Sequence, residues 1–362
     1  MRIIISGGGT GGHIFPAIAI ANALKAADTS TDILFVGADG RMEMEKVPQA
    51  GYKIRGLWIS GFQRRLTLDN LSFPIKVVHS MFESWQILRT FKPDVVVGVG
   101  GYASGAVLRV AQLMRIPTVI QEQNSYAGVT NKLLAAKASK ICTAYSECAQ
   151  FFPPEKIVNT GNPVRSDITD ITNKRTQAYA EYKLDPFKKT ILVIGGSLGA
   201  KTINESINAA YETWQTHADD VQIIWQTGKN YLDTYLKQDI AKLPNVFPMS
   251  FISRMDLAYS AADVVISRAG ALSISELCIV GKPAILVPSP NVAEDHQTKN
   301  AMALVHANAA ILIKDKESIE NLSKTVMDLL QNTEQQRSLS ANIKALAKPD
   351  AAREIAEVVR SL

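Results

Sequence analysis

The chain has 362 residues, 46% hydrophobic and 20% charged; that length is more than one core ordinarily serves, so two domains are expected. No stretch approaches the ~20 uninterrupted apolar residues of a spanning helix. The net charge of +5 is uneven: residues 1–162 hold 17 Lys+Arg against 11 Asp+Glu (+6) and the remainder 22 against 23 (−1), a basic half without polybasic runs that speaks for an anionic substrate or membrane surface and against nucleic acid.

An apolar strand at 2–6 follows Met1 directly and leaves no place for a signal peptide, so a cytoplasmic protein is expected. Further β-branched runs at 32–36, 94–99, 117–121 and 141–144 alternate with amphipathic stretches, the pattern of βαβ units on a parallel sheet. Within residues 57–91, Trp58, Phe62, Ile75, Phe82 and Trp85 are interleaved with Arg64, Arg65, Lys76 and Arg89. Such a patch suits shallow insertion into an anionic bilayer, but Ile75, Val78, Phe82 and Trp85 also have the spacing of a core-facing helix. The charge of the first half favours the membrane.

Gly161, Asn162 and Pro163 punctuate the pattern and place a joint there, giving domains 1–162 and 163–349. A second strand series follows at 190–195, 221–226, 263–267, 284–288 and 309–313. The fold class is therefore α/β, with two Rossmann-like parallel-sheet domains facing a cleft. Pro349-Asp350 opens a terminal helix, 350–362, whose stripe of Ile355, Val358, Val359 and Leu362 needs a surface to cover and is expected to cross back to the first domain. Cys142, Cys148 and Cys278 lack metal-ligand spacing and read as buried, reduced thiols.

Three glycine turns sit at the carboxyl ends of predicted strands: GGGTGG (7–12), GVGGYASG (98–105) and GGSLG (195–199). Glycine permits close backbone approach, and the helix that follows offers free N–H groups to a phosphate. The G-x-G-x-x-G spacing of Gly7, Gly9 and Gly12 also fits a nicotinamide site, with Asp39 somewhat late as its ribose acceptor. The duplicated glycine turn and His13 count against that reading. His13 opens a helix beside the first turn, where an imidazole can take a hydroxyl proton near neutral pH, and Pro16 is expected in the first turn. In the second half, SRAGALSISE (267–276) places Gly270 at a strand end, starts a helix at Ala271–Ser273, and sets Glu276 about one turn inside, where a carboxylate accepts from ribose hydroxyls.

Together with GGGTGGHIFP, the motifs RMEMEKVP, KPDVVVGVGGYASG, EQNSYAGVTNK, GNPVR, GGSLGA, RAGALSISE and HQTKNA run in order along essentially the whole chain. In these the chain resembles the MurG-type GT-B glycosyltransferases, which add N-acetylglucosamine to lipid I in peptidoglycan synthesis. The resemblance implies inverting transfer from UDP-N-acetylglucosamine to the muramoyl 4-hydroxyl of lipid I, at the cytoplasmic face of the bacterial inner membrane, by a peripheral enzyme. It implies His13 as the base and the turns containing Gly8, Gly9, Gly100, Gly101, Tyr102 and Ser104 as a cradle for the acceptor pyrophosphate. It implies Thr10, Gly11, Gly12, Asn124, Arg165, Ser197, Ile252, Ala271, Leu272, Glu276 and Gln297 as donor contacts, with the Ile252 backbone reading uracil and Glu276 the ribose. Helix N-termini at Ser197 and Ala271 would hold the departing charge. No Asp-x-Asp motif occurs, so no metal is required, although a divalent cation recruited by phosphates remains compatible. Leu198 stands where some members have Gln, so no side-chain contact is carried over there. A glycolipid synthase or UDP-N-acetylglucosamine 2-epimerase would use the same donor, and a non-catalytic nucleotide-sugar sensor would not need His13.

Overall fold

Ile3, Ile4 and Ile5 are all fully buried, which a strand permits only when both faces of its sheet are covered. In the computed structural model, which describes residues 1–59, 73–196, 198–292 and 295–362, they lie on β1 (Arg2–Ser6). Phe62, Arg64, Arg65 and Ser197 lie outside the described residues. The chain divides into two compact units, 1–165 with 348–362, and 166–347.

The first unit also contains β2 (Asp32–Ala38), β3 (Lys53–Leu57), β4 (Val95–Gly98), β5 (Thr118–Glu122), β6 (Lys140–Thr143) and β7 (Ile157–Asn159). They form one sheet in the order β3-β2-β1-β4-β5-β6-β7, every pair parallel. Alternate residues serve opposite faces. Ile4 and Val96 join Leu88, Val107 and Leu108 on one side; Ile3, Ile5, Val95 and Val97 join Ile14, Ile20 and Leu24 on the other. The terminal helix Ala351–Arg360 packs on the second face through Ile355, Ala356 and Val359. Leu362 lies beyond its end and is 42% exposed, so it takes no part in the buried stripe, and Val358 is only partly buried against that face.

The first unit runs on to Arg165 rather than ending at Asn162. Asn162 is tied into it: its side chain accepts from Gln121 Nε2 at 3.0 Å and donates to the Gln123 carbonyl at 3.0 Å.

The second unit holds β8 (Lys189–Ile194), β9 (Val221–Gln226), β10 (Val246–Met249), β11 (Val264–Ser267), β12 (Ala284–Leu286) and β13 (Ile311–Leu312). Their order is β10-β9-β8-β11-β12-β13, again parallel throughout. Three of these thirteen strands have no counterpart among the expected runs: β3, β7 and β10. All three are sheet edges with partly exposed residues, and an edge strand need not carry a continuous apolar run.

Candidate active site

In a doubly wound parallel sheet, ligands bind beyond the carboxyl ends of the strands at the point where the strand order reverses. In the first unit that point lies between β1 and β4, and in the second between β8 and β11.

In the first unit the turn after β1 leads into α1 (Gly11–Ala27), with Thr10 as its extended N-cap. The helix starts at Gly11, so Pro16 lies past the first turn, not within it as the sequence suggests. Gly11 and Gly12 occupy the first turn, where N–H groups have no intrahelical partner and suit an anion. His13 Nδ1 lies 3.0 Å from the Gly8 carbonyl and 3.5 Å from Thr10 Oγ1. A carbonyl only accepts, so Nδ1 carries the proton and Nε2 keeps its lone pair. Burial lowers the His13 pKa below its ordinary 6.5, against smaller opposing contributions from the Gly8 hydrogen bond and the Glu122 and Glu43 carboxylates. The imidazole is therefore neutral at physiological pH, the state a base requires.

The turn after β4 closes on this histidine. Gly100 has φ +99°, and a Cβ there would lie 2.8 Å from His13 Nε2 and Cδ2; a Cβ on Gly101 would lie 2.6 Å from the Gly8 carbonyl. The two glycine turns thus touch only because side chains are absent. Tyr102, the first residue of the helix Tyr102–Leu113, is 53% exposed.

Two expected cradle groups are engaged elsewhere. Gly9 N–H donates to Glu43 Oε2 at 2.9 Å, and the buried Ser104 hydroxyl donates to the Gly101 carbonyl at 3.0 Å. These residues shape the turns from behind, which leaves the start of α1 as the better anion site. Asn124 donates through its backbone N–H and side chain to Glu122 Oε1 at 3.1 and 3.3 Å. Glu122 Oε2 accepts from Gly128 N–H and Asn131 Nδ2 at 3.0 and 2.8 Å. The Arg165 guanidinium lies over the Phe15 ring at 5.4 Å.

In the second unit the turn after β8 leads to a helix that begins at Lys201 with Ala200 as N-cap; the helix start expected at Ser197 falls on a residue outside the described ones. After β11, Arg268–Gly270 form a turn, Gly270 capping the helix Ala271–Val280 rather than ending the strand. Ala271 and Leu272 therefore present first-turn N–H groups. Arg268 braces the turn: Nη1 donates to the Val287 and Pro288 carbonyls at 3.0 and 3.2 Å and pairs with Asp315. Gln226, buried, donates to the Gly196 carbonyl at 2.8 Å and accepts from Ile252 N–H at 3.1 Å. Gln297 Oε1 accepts from Ser289 N–H at 2.9 Å.

Glu276 Oε2 accepts from the Tyr259 hydroxyl at 3.0 Å. Tyr259, Gln226 and Glu43 escape the sequence reading because each lies apart in sequence from the turn or carboxylate it supports; Glu122 braces residues two to nine positions on, within the EQNSYAGVTNK motif. Removing the Tyr259 hydroxyl leaves the carboxylate less fixed. Tyr259→Phe is expected to weaken severalfold the binding of a ribose-bearing ligand held by Glu276, about what one lost hydrogen bond of 0.5–1.5 kcal/mol allows, as titration with a nucleotide measures.

Two doubly wound sheets on one chain, each with glycine turns at its switch point, define the GT-B class. Residues 3–143 match the glycosyltransferase family 28 N-terminal domain and residues 190–355 the C-terminal domain of the same family. The chain belongs to glycosyltransferase family 28. It is similar to the "UDP-N-acetylglucosamine--N-acetylmuramyl-(pentapeptide) pyrophosphoryl-undecaprenol N-acetylglucosamine transferase" of Flavobacterium psychrophilum, at 55% identity over 100% of this chain and 97% of that one. The protein of the same name from Parabacteroides distasonis is 56% identical, over 99% of this chain and 97% of its own length. Among solved structures, Acinetobacter baumannii MurG superposes with a TM-score of 0.76 at 27% identity, covering 100% of this chain and 99% of that one. A Neisseria meningitidis UDP-GlcNAc 2-epimerase bound to UDP-GlcNAc shares the fold, with a TM-score of 0.71 at 15% identity over 100% of each chain.

Proposed function

We propose that this chain transfers N-acetylglucosamine from UDP-N-acetylglucosamine to the muramoyl 4-hydroxyl of lipid I, making the β-1,4 linkage of lipid II. The bond from the anomeric carbon to the UDP oxygen breaks, the bond to the acceptor O4 forms with inversion, and the acceptor proton passes to His13 Nε2. UDP leaves as the anion. The observation that carries the chemistry is the 3.0 Å contact of His13 Nδ1 with the Gly8 carbonyl, from which it follows that Nδ1 donates and Nε2 is left as an acceptor.

In this reading the start of α1, with Thr10, Gly11 and Gly12, and the turn at Gly100–Tyr102 receive anionic groups of the substrates. Ala271 and Leu272 offer helix N–H groups to the departing diphosphate, which supports transfer without a required metal. Full turnover in the presence of EDTA is the expected result. Glu276 accepts from the ribose. Because Ile252 N–H is held by Gln226, the uracil contact there falls to the Ile252 carbonyl.

Lipid I is anchored in a bilayer, and among the described residues no helix is long and apolar enough to cross one. The helix Phe73–Phe91 buries Ser80, Ser84 and Leu88, while Ile75, Val78, Phe82 and Trp85 are 63%, 69%, 56% and 37% exposed. Its serines are satisfied internally, Ser80 by the Val77 carbonyl and Ser84 by the Ser80 carbonyl. An apolar stripe turned outward, with Arg89 over Trp85 at 5.2 Å and Lys76 over Trp58 at 5.7 Å, supports peripheral docking on anionic lipid over the core-facing alternative. Val78→Ser with Phe82→Ser is expected to abolish sedimentation with phosphatidylglycerol vesicles and spare turnover of a short-chain, water-soluble acceptor. Unchanged sedimentation would refute that surface.

A further inference from the structure

Glu43 is a carboxylate only 1% exposed, at the first position of the helix Glu43–Gln49. Its Oε2 accepts from Gly9 N–H at 2.9 Å and its Oε1 from Ala38 N–H at 3.0 Å. One side chain thus clamps the glycine turn after β1 to the end of β2. The space left by the absent side chain of Gly8 is filled by that carboxylate, and a Cβ on Gly37 would lie 2.5 Å from Glu43 Cγ. Gly8 in turn supplies the carbonyl that holds His13 Nδ1 at 3.0 Å.

We propose that Glu43 is a positioning residue for the transferase reaction: it fixes the Gly8–Gly9 turn, and through the Gly8 carbonyl it fixes the tautomer and aim of His13. The inference rests on the reading of His13 as the base. A carboxylate can accept two N–H groups at once. Glutamine in its place can accept only one and turns an NH2 donor onto the other, so the turn must shift and carry the Gly8 carbonyl with it. The charge matters as well. Glu43 and Glu122 are the carboxylates whose fields favour the His13 imidazolium, so neutralising Glu43 lowers the pH at which His13 protonates.

The test is Glu43→Gln in the full chain, assayed with UDP-N-acetylglucosamine and a short-chain lipid I analogue. The expected kcat falls about 10²-fold, the scale on which a misplaced catalytic group loses rate, while KM for the donor and Kd for UDP stay near their original values. The acid limb of kcat/KM moves to lower pH. The double variant His13→Ala with Glu43→Gln turns over no more slowly than His13→Ala alone, because Glu43 acts through the imidazole. Glu43→Asp, which keeps the charge, leaves the acid limb in place and restores part of the rate; if the Gln variant does not stay folded, the coupling of Glu43→Asp with His13→Ala decides the matter. A Glu43→Gln enzyme with original kcat, or losses that multiply in the double variant, would overturn the proposal. Failure of the underlying reading looks different: the unaltered protein transfers no sugar, or His13→Ala keeps its turnover.

Discussion

His13→Ala is expected to lower turnover by roughly two to four orders of magnitude, the usual contribution of a general base, with Kd for UDP nearly unchanged. The split follows from where the residues sit. His13 belongs to the first unit, whereas Glu276, Ile252, Ala271, Leu272 and Gln297, which include the proposed ribose, uracil and diphosphate contacts, belong to the second. Isothermal titration with UDP and steady-state turnover on one preparation measure both halves of the expectation. The pH profile adds a sign. A base acts only when neutral, so the unaltered enzyme loses kcat/KM as pH falls through the His13 pKa. Burial holds that value below 6.5, so the acid limb lies below pH 6.5 and is absent from the residual activity of His13→Ala. Retained turnover in the variant would remove His13 from the mechanism.

Gly100→Val is expected to cost nearly as much without touching the base itself. Its Cβ would sit 2.8 Å from His13 Nε2, closer than real Cβ contacts allow, and the branched side chain fills the space where the acceptor oxygen must approach. The imidazole is driven out and its hydrogen bond to Gly8 is lost, so kcat is expected to fall about 10²-fold or more. Val at φ +99° also strains the backbone by roughly 1–3 kcal/mol, which would lower the melting temperature. Gly40→Val separates the two effects. Gly40 has φ +68° and nothing within 4 Å of the position a Cβ would take, so its variant should show the strain in thermal unfolding and keep its turnover. Equal activity losses in both variants would mean that strain, not contact with His13, is responsible.

How much of this was legible in the sequence depended on where each residue's partners lie. Central strands are buried on both faces, so β1, β4, β8 and β11 announce themselves as unbroken apolar runs; the edge strands β3, β7 and β10 do not. The glycine turns and His13 are local signals, since a turn, a cap and a helix start fall within ten residues. Glu43 was not legible: a glutamate at a helix start reads as a solvated cap, and only the parallel pairing of β1 with β2 brings it under the turn at Gly8. Tyr259 and Glu276 likewise meet through packing rather than spacing. The helix Phe73–Phe91 shows the opposite difficulty. Its apolar spacing is the same whether the stripe faces a core or turns outward, and only the burial of Ser80, Ser84 and Leu88 on its other side shows that the stripe is exposed.

The most direct test of the whole account is release of UDP from UDP-N-acetylglucosamine by the purified protein, with and without a short-chain lipid I analogue. The account predicts release only when the analogue is present, with N-acetylglucosamine recovered on its muramoyl 4-hydroxyl in β linkage. Donor consumption without the analogue, or no UDP release in either case, would contradict it.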